Sequence, residues 1–192
     1  MSCSKEETEA GEWDNWQQRN EAFFASLADS LRSHPSQWQR ILSYAQSEAT
    51  SHDIDKYIYV KKLETGMGSE SPAYTDSVRV IYQGRLIPSA TFSEGYVFDG
   101  TVFGKFTPTT SSTAKLSVSN TVEGFSTALQ HMHRGDHWRI YIPSALGYGE
   151  DGNSSGSIPG HSVIIFEVQL IDFSHAGEVM PAWSSRRVEA ED

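Results

Sequence analysis

Hydrophobic positions recur along the chain with two different periods, and the switch between them divides the sequence. From the first tryptophan, Trp13, Trp16, Phe23, Phe24, Leu27 and Leu31 fall near one face at 3.6 residues per turn, which predicts a helix. "HPSQ" breaks that helix at Pro35. Trp38, Ile41, Leu42 and Ala45 then repeat the i, i+3, i+4, i+7 spacing and predict a second, shorter helix. The tryptophan-bearing stripe could meet a partner or a second copy; more commonly such a stripe packs on its own domain.

From Tyr57 the period becomes two. "YIYVKKLE" reads as a first strand and "GMGSESPAYTD" as a loop. In "SVRVIYQG" Val78, Val80 and Tyr82 share one face, with Arg79 and Gln83 on the other. "KLSVS" turns Leu116 and Val118 inward. "VEGFSTALQHMHRGD" returns to helix: Phe125, Ala128, Leu129 and Met132 form its apolar stripe and Gly135 its stop. "WRIYIP" places Trp138, Ile140 and Ile142 on one side, and "VIIFEVQLIDF" does the same for Ile164, Phe166, Val168 and Leu170. Several strands with one short helix among them, and little βαβ alternation, predict an α+β domain with an antiparallel sheet. The expected division is an acidic tether at 1–12, a helical extension at 13–50, the sheet domain at 56–173 and a polar, loose tail from Ser174 to the end. No internal repeat appears, and nothing in the sequence specifies an oligomeric state.

Composition narrows the classes. At 192 residues with 38% hydrophobic positions the chain can bury one core of ordinary size. A net charge of -10 and a pI near 5.1 argue against a nucleic-acid partner, whose phosphates call for a basic face. No apolar stretch approaches the ~20 residues of a membrane-spanning helix. Cys3 is the single cysteine, so neither an internal disulfide nor a cysteine-built zinc site can form. A cysteine followed by a small residue and then charge, as in "MSCSKEETEAGE", resembles the mature start of a bacterial lipoprotein. On that reading Cys3 is acylated, the acidic stretch holds the domain off the membrane, and the protein faces the cell envelope. A cytoplasmic protein with an incidental cysteine is the alternative.

Most catalytic signatures are missing. In "HMHRGDH", His131 and His133 stand two apart on a helix and His137 lies beyond the glycine turn, which predicts surface histidines and no metal site. "RGD" reads as a polar turn, and the "NSS" at Asn153 matters only in a eukaryotic secretory setting. No serine sits in a G-x-S-x-G elbow, and "GMGSES" lacks the lysine of a phosphate loop.

What remains is an aromatic set with one acid: Tyr82, Phe98, Asp99, Phe125, Tyr148, Ile158 and Phe166. The ordered run "VRVIYQG … VFDGT … VEGFSTALQHMHRGD … IYIPSALGYGE … GSIPG … VIIFEVQLIDF" resembles the FKBP-type peptidyl-prolyl cis-trans isomerases over about residues 56 to 173, and with Cys3 it resembles bacterial FKBP lipoproteins. The resemblance implies an FKBP-like antiparallel sheet curled around one short helix, here preceded by the N-terminal extension. It implies that Tyr82, Phe98, Asp99, Tyr148 and Phe166 are the catalytic set. Thr121, Val122, Phe125 and Ile158 would bind substrate, Phe125 as the pocket floor where the family commonly has tryptophan. Thr121, Ala114 and Glu123 depart from the usual apolar, aromatic and proline-or-basic choices.

Further implications are no cofactor, proline-containing polypeptides as partners, and macrolide inhibitors as possible ligands. Phe98, Phe125, Val122 and Phe166 would hold the proline ring, Tyr148 hydroxyl and the Ile158 N–H would orient peptide carbonyls, and Asp99 would supply a polar edge. A non-catalytic module that holds chains in the same groove is the rival reading. The long loop from Ala145 to Gly160 would form the lip over the pocket.

Overall fold

This computed structural model describes residues 11–47, 53–107 and 112–183. Its strands are β1 (Trp38–Leu42), β2 (Tyr57–Glu64), β3 (Ser77–Leu86), β4 (Val97–Gly100), β5 (Ala114–Ser117), β6 (His137–Ile142) and β7 (Ile164–Ser174). They form one antiparallel sheet in the order β1-β2-β6-β7-β3-β4, and β5 pairs with the first half of β3 where β4 leaves it free. Two helices, α1 (Trp16–Ser33) and α2 (Glu123–Leu129), lie on opposite faces of this sheet. The architecture is the α+β fold expected from the sequence.

α2 covers the concave face. Phe125, Ala128, Leu129 and Met132 are all buried, and Gly124 admits the close approach to the sheet. A Cβ on Gly124 would lie 2.4 Å from Ile142 Cγ2, nearer than any real side chain sits. The helix proper stops at Leu129; the Met132 N–H closes one more turn on Ala128 O before Gly135 reverses the chain with φ +89°.

The convex face holds the main departure from the sequence reading. α1 lies across it, placing Phe24 edge-on to Tyr59 at 5.3 Å and Phe23 against Tyr141 at 6.1 Å. The segment expected as a second helix is β1, an edge strand paired with β2 from Trp38↔Lys61 to Leu42↔Tyr57. Its spacing imitated a helix for a physical reason. Trp38 points to the convex side, stacked on Tyr141 at 5.3 Å, while Ile41 points to the concave side, level with Ile58. Each face buries one large side chain and carries one polar residue, Arg40 beside Trp38 and Gln39 beside Ile41, so the usual strand alternation is lost. Extension and sheet domain therefore share one core, which contains Trp16, Phe24, Leu27, Trp38 and Ile41.

Three smaller expectations change as well. Glu12, assigned to the tether, accepts hydrogen bonds from Thr91 N–H (3.1 Å) and Thr91 hydroxyl (2.6 Å) and also from Ser89 hydroxyl, which together hold its carboxyl below the ordinary range. Its partners sit in the long β3–β4 connection, so the described chain is pinned from residue 11 onward; Cys3 lies outside the described residues. The tail is not loose where it begins: Ser174 and Met180 are buried, and Arg79 donates to Pro181 O at 2.9 Å. His137 is buried rather than on the surface, bonded to Glu167 at 3.0 Å.

Candidate functional site

The aromatic set meets on the concave face, beside α2. Strand register explains why. Gly84 of β3 stands directly opposite Phe166 of β7, which in turn stands opposite Ile140 of β6. A Cβ at Gly84 would lie 2.6 Å from Phe166 and 2.8 Å from Phe98, so only glycine lets those two rings meet over this strand. They do meet, edge to face at 5.7 Å. Phe166 also stacks on Phe125 of α2 at 4.5 Å, and Tyr82 lies 6.2 Å from Phe166 and 6.4 Å from Phe125. Phe125 and Phe166 are 3% and 5% exposed, and Phe98 is half-buried at the opening.

Phe98 and Asp99 are neighbours in sequence, yet both reach concave-side partners. Adjacent residues of a regular strand point to opposite faces. The β3–β4 pairing slips here: Gly84 faces Asp99 and Arg85 faces Val97, which leaves Phe98 as an extra residue in a bulge. Tyr82 hydroxyl donates to Asp99 Oδ2 at 2.8 Å, and the Gly100 N–H donates to Asp99 Oδ1 at 2.8 Å. Burial raises the Tyr82 phenol well above its ordinary value, and the Asp99 carboxylate that accepts its proton raises it further. Tyr148 is shifted the same way, first by burial and then by the Asp99 charge. Both phenols are therefore neutral donors throughout the physiological range.

The lip from Ala145 to Gly160 is folded on itself. Gly152 adopts φ +77°, and a Cβ there would strike Ile158 O at 2.1 Å. Asn153 sits inside the resulting turn. Its N–H donates to Ile158 O at 3.1 Å, and its Oδ1 accepts the Ile158 N–H at 2.9 Å. Its side-chain amide donates to Ser155 and Ser157 hydroxyls at 2.9 and 2.8 Å, so the "NSS" amide is committed to holding the loop. Ile158 itself is 1% exposed and belongs to the core. The expected role of its N–H as a donor to substrate does not hold, because Asn153 already takes that proton.

A different donor emerges. Val122, the residue before α2, packs half-buried against the core, and among the described residues no group accepts its N–H. Tyr148 hydroxyl likewise has no hydrogen-bond partner among the described residues. Thr121 is the exception in the set: its hydroxyl donates back to Val118 O at 2.8 Å, and its side chain lines a cavity on the far side of α2. Free main-chain donors carry no sequence signature, so Val122 N–H was invisible before the fold placed it at the start of α2. Gly84 and Asn153 were equally silent, since their contacts are made across the sheet and within a turn.

The lip is braced from behind by α1. Trp16 Nε1–H donates to Ser162 hydroxyl at 2.8 Å, Asn20 Oδ1 accepts the Val163 N–H at 2.8 Å, and Ser162 hydroxyl donates to Pro159 O at 2.6 Å. Asn20 is buried and its amide also donates to Trp16 O at 2.7 Å, so every polar atom of this buried side chain is used. The histidines do not converge: His131 stacks on Tyr44, His133 pairs with Asp136 at 3.5 Å, and His137 faces Glu167 on the convex side.

A family model described as "FKBP-type peptidyl-prolyl cis-trans isomerase" matches residues 68–171. The "FKBP-type 22 kDa peptidyl-prolyl cis-trans isomerase" of Escherichia coli is 40% identical over 101 residues, covering 53% of this chain and 43% of that protein. "Outer membrane protein MIP" of Legionella longbeachae is 33% identical over 116 residues, 60% of this chain and 44% of that one. A peptidyl-prolyl cis-trans isomerase structure from Pseudomonas syringae aligns with a TM-score of 0.57 at 23% identity, over 88% of this chain and 99% of that one, which bears on the fold. The chain spans about half the length of the curated relatives it matches.

Proposed function

Since the chain belongs to the FKBP-type peptidyl-prolyl cis-trans isomerase family, we propose that it accelerates rotation about X-Pro bonds, with the slot between Phe98, Phe125 and Phe166 as the seat of the proline ring. The observation that carries this reading is an aromatic floor flanked by two donors that no described residue engages, Tyr148 hydroxyl and Val122 N–H. Amide resonance sets a barrier of about 18–20 kcal/mol to this rotation. A ~10⁴-fold acceleration requires about 5.5 kcal/mol of preferential binding of the twisted amide. Rotation breaks no bond and moves no proton. The twisted amide has lost resonance and carbonyl polarity, so an apolar, water-poor slot favours it over the planar form. Val122 N–H and Tyr148 hydroxyl would anchor the flanking carbonyls, and the Tyr82–Asp99 pair would form the polar edge. A macrolide that fills the proline slot would compete with substrate.

A protease-coupled isomerisation assay on a series of X-Pro peptides tests the proposal. The expected result is catalysis of several peptides; a folded protein that accelerates none would leave the chain-holding module as the better reading. We also propose an envelope-facing location with a lipid on Cys3, supported by the sequence around that cysteine and by the name of the Legionella relative. Expressed in its native host, the protein should partition with membranes and Cys3→Ala should release it; equal partition of the two would end that reading.

A further inference from the structure

α2 has a second face. Glu123, Ser126 and Thr127, at i, i+3 and i+4, turn away from the proline slot and line a cavity of about 460 Å³. Its outer walls are Tyr44, from the chain just after β1, and Tyr74, from the β2–β3 loop; both are more than half exposed. Tyr44 is held in place, stacked on His131 at 4.8 Å. Glu123 is the only charged residue of the lining among the described residues. Ser43 hydroxyl donates to Glu123 Oε1, which fixes the carboxylate and leaves its other oxygen unengaged by any described residue. Thr127 hydroxyl, fully buried in this wall, has no hydrogen-bond partner among the described residues. Thr121, next in sequence to Val122, also lines the cavity, which places the cavity one residue along the chain from the proposed slot donor.

Two tyrosine rings bordering one carboxylate are suited to a cation carried on an aliphatic stem. We propose that this cavity is a subsite for a lysine or arginine side chain of the polypeptide substrate, lying on one side of its proline. The inference rests on the isomerase reading for the position of the proline. An extended chain advances about 3.3–3.6 Å per residue, so three residues reach about 10 Å from the slot. The extension thus gains a role at the site, since it supplies Tyr44 and the Ser43 that orients Glu123.

The test is a peptide series with one X-Pro bond, in which lysine replaces alanine at each of three positions before and after the proline. For the wild type, kcat/KM should rise about three- to tenfold for lysine on one side of the proline and stay level on the other. That ratio of lysine to alanine peptide should fall to within about twofold in both Glu123→Gln and Tyr74→Ala. Equal rates for lysine and alanine peptides in the wild type, or a ratio that survives Glu123→Gln, would overturn the subsite while leaving the isomerase reading intact. If no peptide is turned over, fluorescence titration of the same series separates the two ideas. Tighter binding of lysine peptides that is lost in Glu123→Gln keeps the subsite without the isomerase, and equal binding ends both.

Discussion

Removing the hydrogen bond between Tyr82 and Asp99 asks whether this carboxylate takes part in chemistry or only shapes the edge of the slot. Tyr82→Phe keeps the ring that packs near Phe125 and Phe166 and deletes only the hydroxyl. A hydrogen bond to a charged acceptor contributes about 1.5–3 kcal/mol when both groups are buried. Here Tyr82 is buried but Asp99 is exposed, so water replaces the lost donor and the expected cost is about 1 kcal/mol. Asp99→Asn keeps an acceptor in the same place and should cost no more. If rotation needs no proton, each variant loses only part of that free energy in the transition state. Rates should then fall a few-fold to about tenfold. Only Tyr82→Phe removes the contact outright, so the double variant should cost little more than Tyr82→Phe alone. The measurement is protease-coupled isomerisation beside thermal melting, so that unfolding is not counted as lost catalysis. Because Tyr82 and Tyr148 are both held above their ordinary phenol range, kcat/KM should be nearly flat from about pH 6 to 8. A loss of several orders of magnitude in folded Asp99→Asn, or a bell-shaped profile, would refute the reasoning.

Stability should depend on acid through Glu167. Burial alone would raise its carboxyl, but hydrogen bonds from His137 and Arg139 outweigh that and hold it near 2 against an ordinary 4.5. Because the folded value is the lower one, the stabilisation of about 3 kcal/mol is complete above about pH 5 and fades as the pH falls toward 2. Glu167→Gln should flatten that part of the stability profile in denaturant titrations; an unchanged acid limb would assign it to other carboxylates. Trp16→Ala removes a ring that is 6% exposed together with its bond to Ser162, and should lower stability by about 3–5 kcal/mol. A melting temperature equal to wild type would show that α1 is not part of the core.

The strands that alternate in residue type were legible because polar residues mark one of their faces, buried or not. β3 shows it: Arg79 and Gln83 oppose Val78, Val80 and Tyr82, and the reading placed it within two residues. β1 was not legible, since its buried residues Trp38 and Ile41 are split between its two faces and fall at helix-like spacing. The aromatic set was readable as residue types at strand and helix ends. Its geometry was not: the bulge that turns Phe98 and Asp99 the same way is a property of pairing between β3 and β4. The Ile158 N–H shows the limit most directly. Its partner, Asn153, is five residues upstream, and only the closed turn reveals that the donor is already spent.

The clamp between α1 and the lip also sets an order of events during folding. Trp16 meets Ser162 across 146 residues of chain, and Asn20 meets Val163 across 143. During synthesis α1 is made well before Ser162 and Val163, so the clamp closes only once those residues have emerged. Phe24 can meet Tyr59 as soon as β2 is made, whereas the Trp16 and Asn20 contacts to the lip must wait. The helix that braces the lip is thus made well before the residues it braces, and Trp16 and Asn20 wait through that interval without their partners.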